Sequence, residues 1–241
     1  IETIEKYYAK INDRDTFYKN RIWFQLMKAK FYSTNSNEAI SYFEKTADSQ
    51  PKNLLYYRAL GYVAGASYQK GDFNKSNVLF AQIFNDVPKL RNEALYNFKP
   101  VDKATFQKQL AIATPIDQKA ALWAIYGYYN DEFEAMQEIY KINPKSEHIN
   151  FLLTRWVNLQ EEAINVYQEK AINMPGSYHK EVAKAIDQKQ FKWINEVASK
   201  PENLQNPELW YLASGYLNIF QGEFKQAAQL FSNASKANKS N

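Results

Sequence analysis

The chain has 241 residues, of which 45% are hydrophobic and 16% aromatic, which is enough to bury a core and far from a disordered composition. Cysteine is absent, which excludes a disulfide framework and any thiolate metal site, and the 7 Gly and 8 Pro are few for an all-β chain of this length. The formal net charge is +4, carried by Lys scattered among Glu and Asp with only five Arg (14, 21, 58, 91 and 155), a pattern that argues against a nucleic-acid partner.

In chain order, the start Ile1-Glu-Thr-Ile-Glu-Lys6 has no signal-peptide character and no initiator Met, so the chain is expected to be a mature product or part of something longer. No apolar run is long enough to span a bilayer. Ile22, Trp23, Leu26, Met27 and Phe31 recur at helical spacing, and Ala39, Ile40, Phe43 and Ala47 mark a second helix. Ser36-Asn37-Glu38 supplies a cap between them and Pro51 closes the pair.

Three segments then share one pattern: aromatic–x–x–x–Gly–Tyr followed by an acid–Phe pair. They are Tyr57-Arg-Ala-Leu-Gly61-Tyr62 with Asp72-Phe73, Trp123-Ala-Ile-Tyr-Gly127-Tyr128 with Glu132-Phe133, and Tyr211-Leu-Ala-Ser-Gly215-Tyr216 with Glu223-Phe224. The repeat predicts helical hairpins, with the Gly a packing residue. From Gly to Phe the distance is 12, 6 and 9 residues, so the copies differ by close to one helical turn. Another hairpin is expected at 89–98 and 102–113, bounded by Pro100 and Pro115. Further helices are expected at 146–159, 161–171, 177–189 and 191–199. Met174-Pro175-Gly176 is the strongest break, and the tail from Asn233 is polar.

Trp23, Leu26, Ala39, Phe43 and Pro51 stand at the spacing of a tetratricopeptide repeat, and on these residues and the three Gly–Tyr segments the chain resembles the tetratricopeptide (TPR) superfamily. The resemblance covers about two thirds of the chain and is weakest at 89–200. It implies an all-α, right-handed superhelix of about six to seven degenerate hairpins in one domain, 1–241, with a sub-boundary near 173–177. It also implies a concave groove that holds a peptide or protein partner. Position by position, the groove residues it implies are Arg21, Phe24, Lys28 and Phe31, then Arg58 and Tyr62, then Tyr128 and Tyr216. The competing reading is that these tyrosines pack against the next hairpin. The stretch 139–161, with Asn143-Pro144-Lys145-Ser146 and Trp156, resembles uncharacterised TPR-like cell-envelope proteins of Bacteroidota. That implies a bacterial source and a periplasmic or outer-membrane-associated location within a larger complex.

No phosphate loop, dinucleotide motif, nucleophile elbow or zinc helix occurs, so no catalytic set and no cofactor is expected. His148 and His179 are the only histidines, neither at ligand spacing, and are read as surface or capping residues. The carboxylates Asp131, Glu132 and Glu134 are read as meeting a helix N-terminus. Arg155 stands in an apolar stretch and needs a carboxylate, with Glu161-Glu162 nearest in sequence, or a partner's carboxylate. The alternative function is a helical module of a carbohydrate- or peptidoglycan-directed enzyme, with Trp123, Trp156, Trp193 and Trp210 stacking on sugars.

Overall fold

The computed structural model describes residues 1–172 and 176–238. Among the described residues the fold is all-α, with 14 α-helices joined by short turns and no strand. The chain divides into two compact units, Ile1–Ile125 and Tyr126–Asn241.

The first unit begins with α1 (Glu2–Tyr8), α2 (Thr16–Phe31), α3 (Asn37–Thr46), α4 (Leu54–Gln69) and α5 (Phe73–Asp86). It continues with α6 (Arg91–Asn97), α7 (Lys103–Ile112) and most of α8 (Ile116–Tyr129). Its starts are set by short polar side chains. Asp15, Asp72 and Asp102 each accept a hydrogen bond from the backbone N–H three residues on, and Asn53 accepts two. The expected cap ahead of α3 is displaced: Ser36 makes no side-chain cap bond, and Asn35 Oδ1 accepts from Asn37 N at 3.2 Å instead. Trp23, Leu26, Met27 and Ala39 are fully buried, and Trp23 packs on Phe43 at 6.0 Å. The Trp23 indole N–H, which would be costly to bury unbonded, donates to Thr46 Oγ1 at 2.8 Å. The helices expected at 89–98 and 102–113 are present as α6 and α7, but each packs on α5 and the two do not pair as a hairpin.

The second unit holds the last turn of α8, then α9 (Glu132–Ile142), α10 (Glu147–Ala171), α11 (Tyr178–Val182), α12 (Gln188–Ala198), α13 (Pro207–Phe220) and α14 (Phe224–Asn238). Met136, Ile139, Leu152, Leu153 and Trp210 form its core. The two helices expected at 146–159 and 161–171 are one helix of 25 residues. Leu159-Gln160-Glu161 contains no Gly or Pro, and all three are good helix formers, so nothing stops propagation. The helix expected at 177–189 is shorter, ending at Val182 in a single 3₁₀ turn, Ala183–Ala185. Of the break at Met174-Pro175-Gly176, Met174 and Pro175 lie outside the described residues. Gly176 has φ +88°.

The repeated signature has a structural meaning. At the end of α4, Gly71 takes φ +83°, its N–H bonds to Tyr68 O, and Asp72 N bonds to Ser67 O. At the end of α13, Gly222 takes φ +79°, its N–H bonds to Ile219 O, and Glu223 N bonds to Asn218 O. Both are Schellman closures, in which a left-handed residue recovers the helix's last carbonyls. The acid that follows starts the next helix. The middle copy closes without glycine. Asp131, not Glu132, caps α9, so its acid–Phe match stands one residue out of register.

The glycines of the three repeat segments, Gly61, Gly127 and Gly215, face the second helix of their own hairpin. Gly61 lies eleven residues before Asp72, and the residue opposite it, Ile83, lies eleven after. Gly127 lies four before Asp131 and faces Ala135, four after. Gly215 lies eight before Glu223 and faces Phe231, eight after. Beyond the glycine α4 continues for eight residues, α13 for five and α8 for two, so the three hairpins differ in steps of three residues, close to one turn.

Candidate partner-binding faces

The residues expected on a groove in the first unit mostly meet. On α2, Phe24 and Phe31 lie two turns apart and point to the same side, toward α4. Tyr62 of α4 packs on both, with ring centroids 5.8 Å from Phe24 and 5.0 Å from Phe31. Arg58, one turn before Tyr62, holds its guanidinium 5.8 Å from the Phe24 ring. Phe24 is buried, Phe31 and Tyr62 are half-buried and Arg58 is exposed. Burial pushes the Tyr62 hydroxyl above its ordinary pKa, Tyr32 and Glu93 add to this, and Arg58 opposes it.

Arg21 does not join the cluster. It is exposed, turns back over the Phe17 ring at 3.3 Å and donates to Phe17 O. Lys28 is exposed on the same helix. The residue that spacing missed is Tyr32. It is 69% exposed, its ring 6.0 Å from Tyr62 and 5.0 Å from Phe31. It is the C-cap of α2, one step past the periodic face, so helical periodicity does not count it.

In the second unit the two tyrosines differ. Tyr128 is a packed residue. Its ring stacks on Phe151 at 6.2 Å and Arg155 lies over it at 4.1 Å. Arg155 Nε donates to Glu132 Oε1 at 2.6 Å. The carboxylate that Arg155 needs therefore comes from α9, not from Glu161-Glu162. Glu161 instead accepts from the Tyr216 hydroxyl at 2.7 Å. Burial and this bond push Tyr216 up to about 12. Tyr216 also lines an apolar groove of about 310 Å³ together with Leu153, Val157, Leu209 and Leu212.

The remaining candidates are structural. Asp131 caps α9 through Glu134 N at 2.8 Å. His148 is not a surface residue: it is 2% exposed at the start of α10, where its backbone N–H donates to Ser146 Oγ. His179 is half-buried and packs edge-on against Phe224 at 5.1 Å. Among the described residues no three His, Asp or Glu gather as a metal ion would need. Trp123, Trp156 and Trp210 are 6%, 3% and 0% exposed, and Trp193 meets Phe133 and Trp210 edge-on, so sugar stacking finds few open indole faces. No described helix is long and apolar enough to cross a membrane. Comparisons with known proteins give no matching family model, no similar curated protein and no similar solved structure.

Proposed function

We propose that the chain is a non-catalytic interaction scaffold, a degenerate TPR-like array whose α2–α4 face takes a peptide or protein segment. One observation supports this reading most. The first helices of two successive hairpins bring Phe24, Phe31 and Tyr62 into ring contact and leave Tyr32 and Arg58 exposed at the rim. Tyr and Arg are the residue types that most often carry interface energy. Rings already packed on one another lose little freedom when a partner arrives, so less of the contact energy is spent on ordering. The buried Phe24 anchors the patch, while Tyr32 offers an open ring.

Display selection of random peptides on the purified chain tests the reading. Selected peptides are expected to lose about tenfold in affinity, ~1.4 kcal/mol, on Tyr32→Ala or Arg58→Ala. Both residues are exposed and each keeps only ring contacts at the rim, so the melt should fall by no more than about 1 kcal/mol of stability. Unchanged affinity in both variants would remove this face from consideration.

A further inference from the structure

We infer that the second unit carries its own docking groove, between α10 and α13, for an amphipathic helix that brings a basic residue to Glu161. The inference rests on the scaffold reading but concerns a different face. Two hydrogen bonds tie these helices side by side. The Trp210 indole N–H donates to Asn150 Oδ1 at 3.2 Å at one end, and the Tyr216 hydroxyl donates to Glu161 Oε1 at 2.7 Å at the other. Asn150 precedes Glu161 as Trp210 precedes Tyr216, so the two helices run in the same direction. Between the bonds lies the groove of about 310 Å³.

Its walls are apolar and helically spaced. Val157 comes from α10, Leu209 and Leu212 from α13, the fully buried Leu153 lies beneath them, and the Phe231 ring from α14 closes it. Gly215 makes room for that ring: a Cβ there would stand 2.9 Å from Phe231 Cε1. Leu212 is 41% exposed and Thr154 and Asn158 are exposed, so the groove is open along its length. The walls run for about two helical turns, or about 10 Å. A trough of that length between two helices fits one face of a third helix, read at positions i, i+3, i+4 and i+7.

Charge selects the kind of helix. Among the described residues no Lys or Arg lines the groove, and the Glu161 carboxylate adjoins it through Tyr216, a lining residue whose hydroxyl donates to Glu161 Oε1. The whole chain carries +4, so attraction of a cationic helix must come from this local carboxylate and not from overall charge.

The experiment is fluorescence anisotropy on the full chain with two labelled helical peptides of about 15 residues. They share one leucine face, and the opposite face is lysine-rich in one and glutamate-rich in the other. The lysine peptide is expected to bind saturably and at least about tenfold tighter than the glutamate peptide. Leu212→Lys is expected to weaken it by a similar factor. Glu161→Gln keeps an acceptor for Tyr216 but removes the charge, and should shrink the preference several-fold with an unchanged melting temperature. Equal binding of both peptides, no saturable binding, or indifference to both substitutions overturns the inference. If Arg58→Ala alone weakens the lysine peptide, the peptide sits on the α2–α4 face. The groove then falls while the scaffold reading stands.

Discussion

The three repeat glycines look equivalent in sequence and are not equivalent in space. A Cβ at Gly127 would stand 2.4 Å from Ala135 Cβ, where neither atom can rotate away. At Gly215 it would meet the edge of the Phe231 ring at 2.9 Å, and at Gly61 it would meet Ile83 Cδ1 at an ordinary 3.8 Å. Gly127→Ala should therefore cost the most, about 1–3 kcal/mol of overpacking, and Gly215→Ala less, because a ring can tilt. Gly61→Ala should be neutral or stabilising by up to about 1 kcal/mol, since Ala is the better helix former. Urea denaturation of the three variants checks the order; equal losses would refute it. The sequence marks all three as packing residues. It does not rank them, because the rank depends on the size of the residue opposite. The site was legible in a similar, partial way. Spacing on α2 found Phe24 and Phe31, and the Gly–Tyr segment found Tyr62. Tyr32 escaped because it caps the helix, and the groove beside Tyr216 escaped because Phe231 reaches it from α14 across Gly215, outside the apolar period of either α10 or α13.

At the scale of elements, most helix starts were legible where a short polar residue stands at their ends, but not that of α12, whose cap Asp187 lies inside the helix expected at 177–189. Asp72, Asp102, Asp131 and Asp187 each cap a helix through a backbone N–H. The 25-residue α10 was another exception, since apolar periodicity records a face and not an interruption. The turn chemistry gives a second test. Gly71 has φ +83° and nothing within 4 Å of a would-be Cβ, so any cost of substitution there is backbone strain alone. Gly71→Ala should lose about 1 kcal/mol in thermal or urea unfolding, and Gly71→Asn less, because Asn tolerates the left-handed region better. An Ala variant as stable as the parent would contradict the Schellman geometry.

At the scale of the whole molecule, both units bury tyrosine hydroxyls. Burial is the first cause at Tyr57 and Tyr216, each pushed up to about 12, and it also raises Tyr42, Tyr56 and Tyr62. An unfolded tyrosine ionises near 10. The stability these groups contribute is thus fully present below about pH 10. It falls from there to about 12, as the unfolded chain releases protons that the folded one retains. Melting temperature measured across this window should decline with pH, and tyrosinate absorbance of the folded chain should lag that of a denatured control. A flat melting temperature would show that these hydroxyls are solvated. The glycine register also has a consequence for how such a chain can change length. In each hairpin the glycine and the residue it faces are equidistant from the turn, at four, eight or eleven positions. Adding a turn to one arm alone would slide every facing pair past its partner. Lengthening is compatible with the packing only when it is mirrored across the bend, so viable insertions should come as matched pairs, one in each arm.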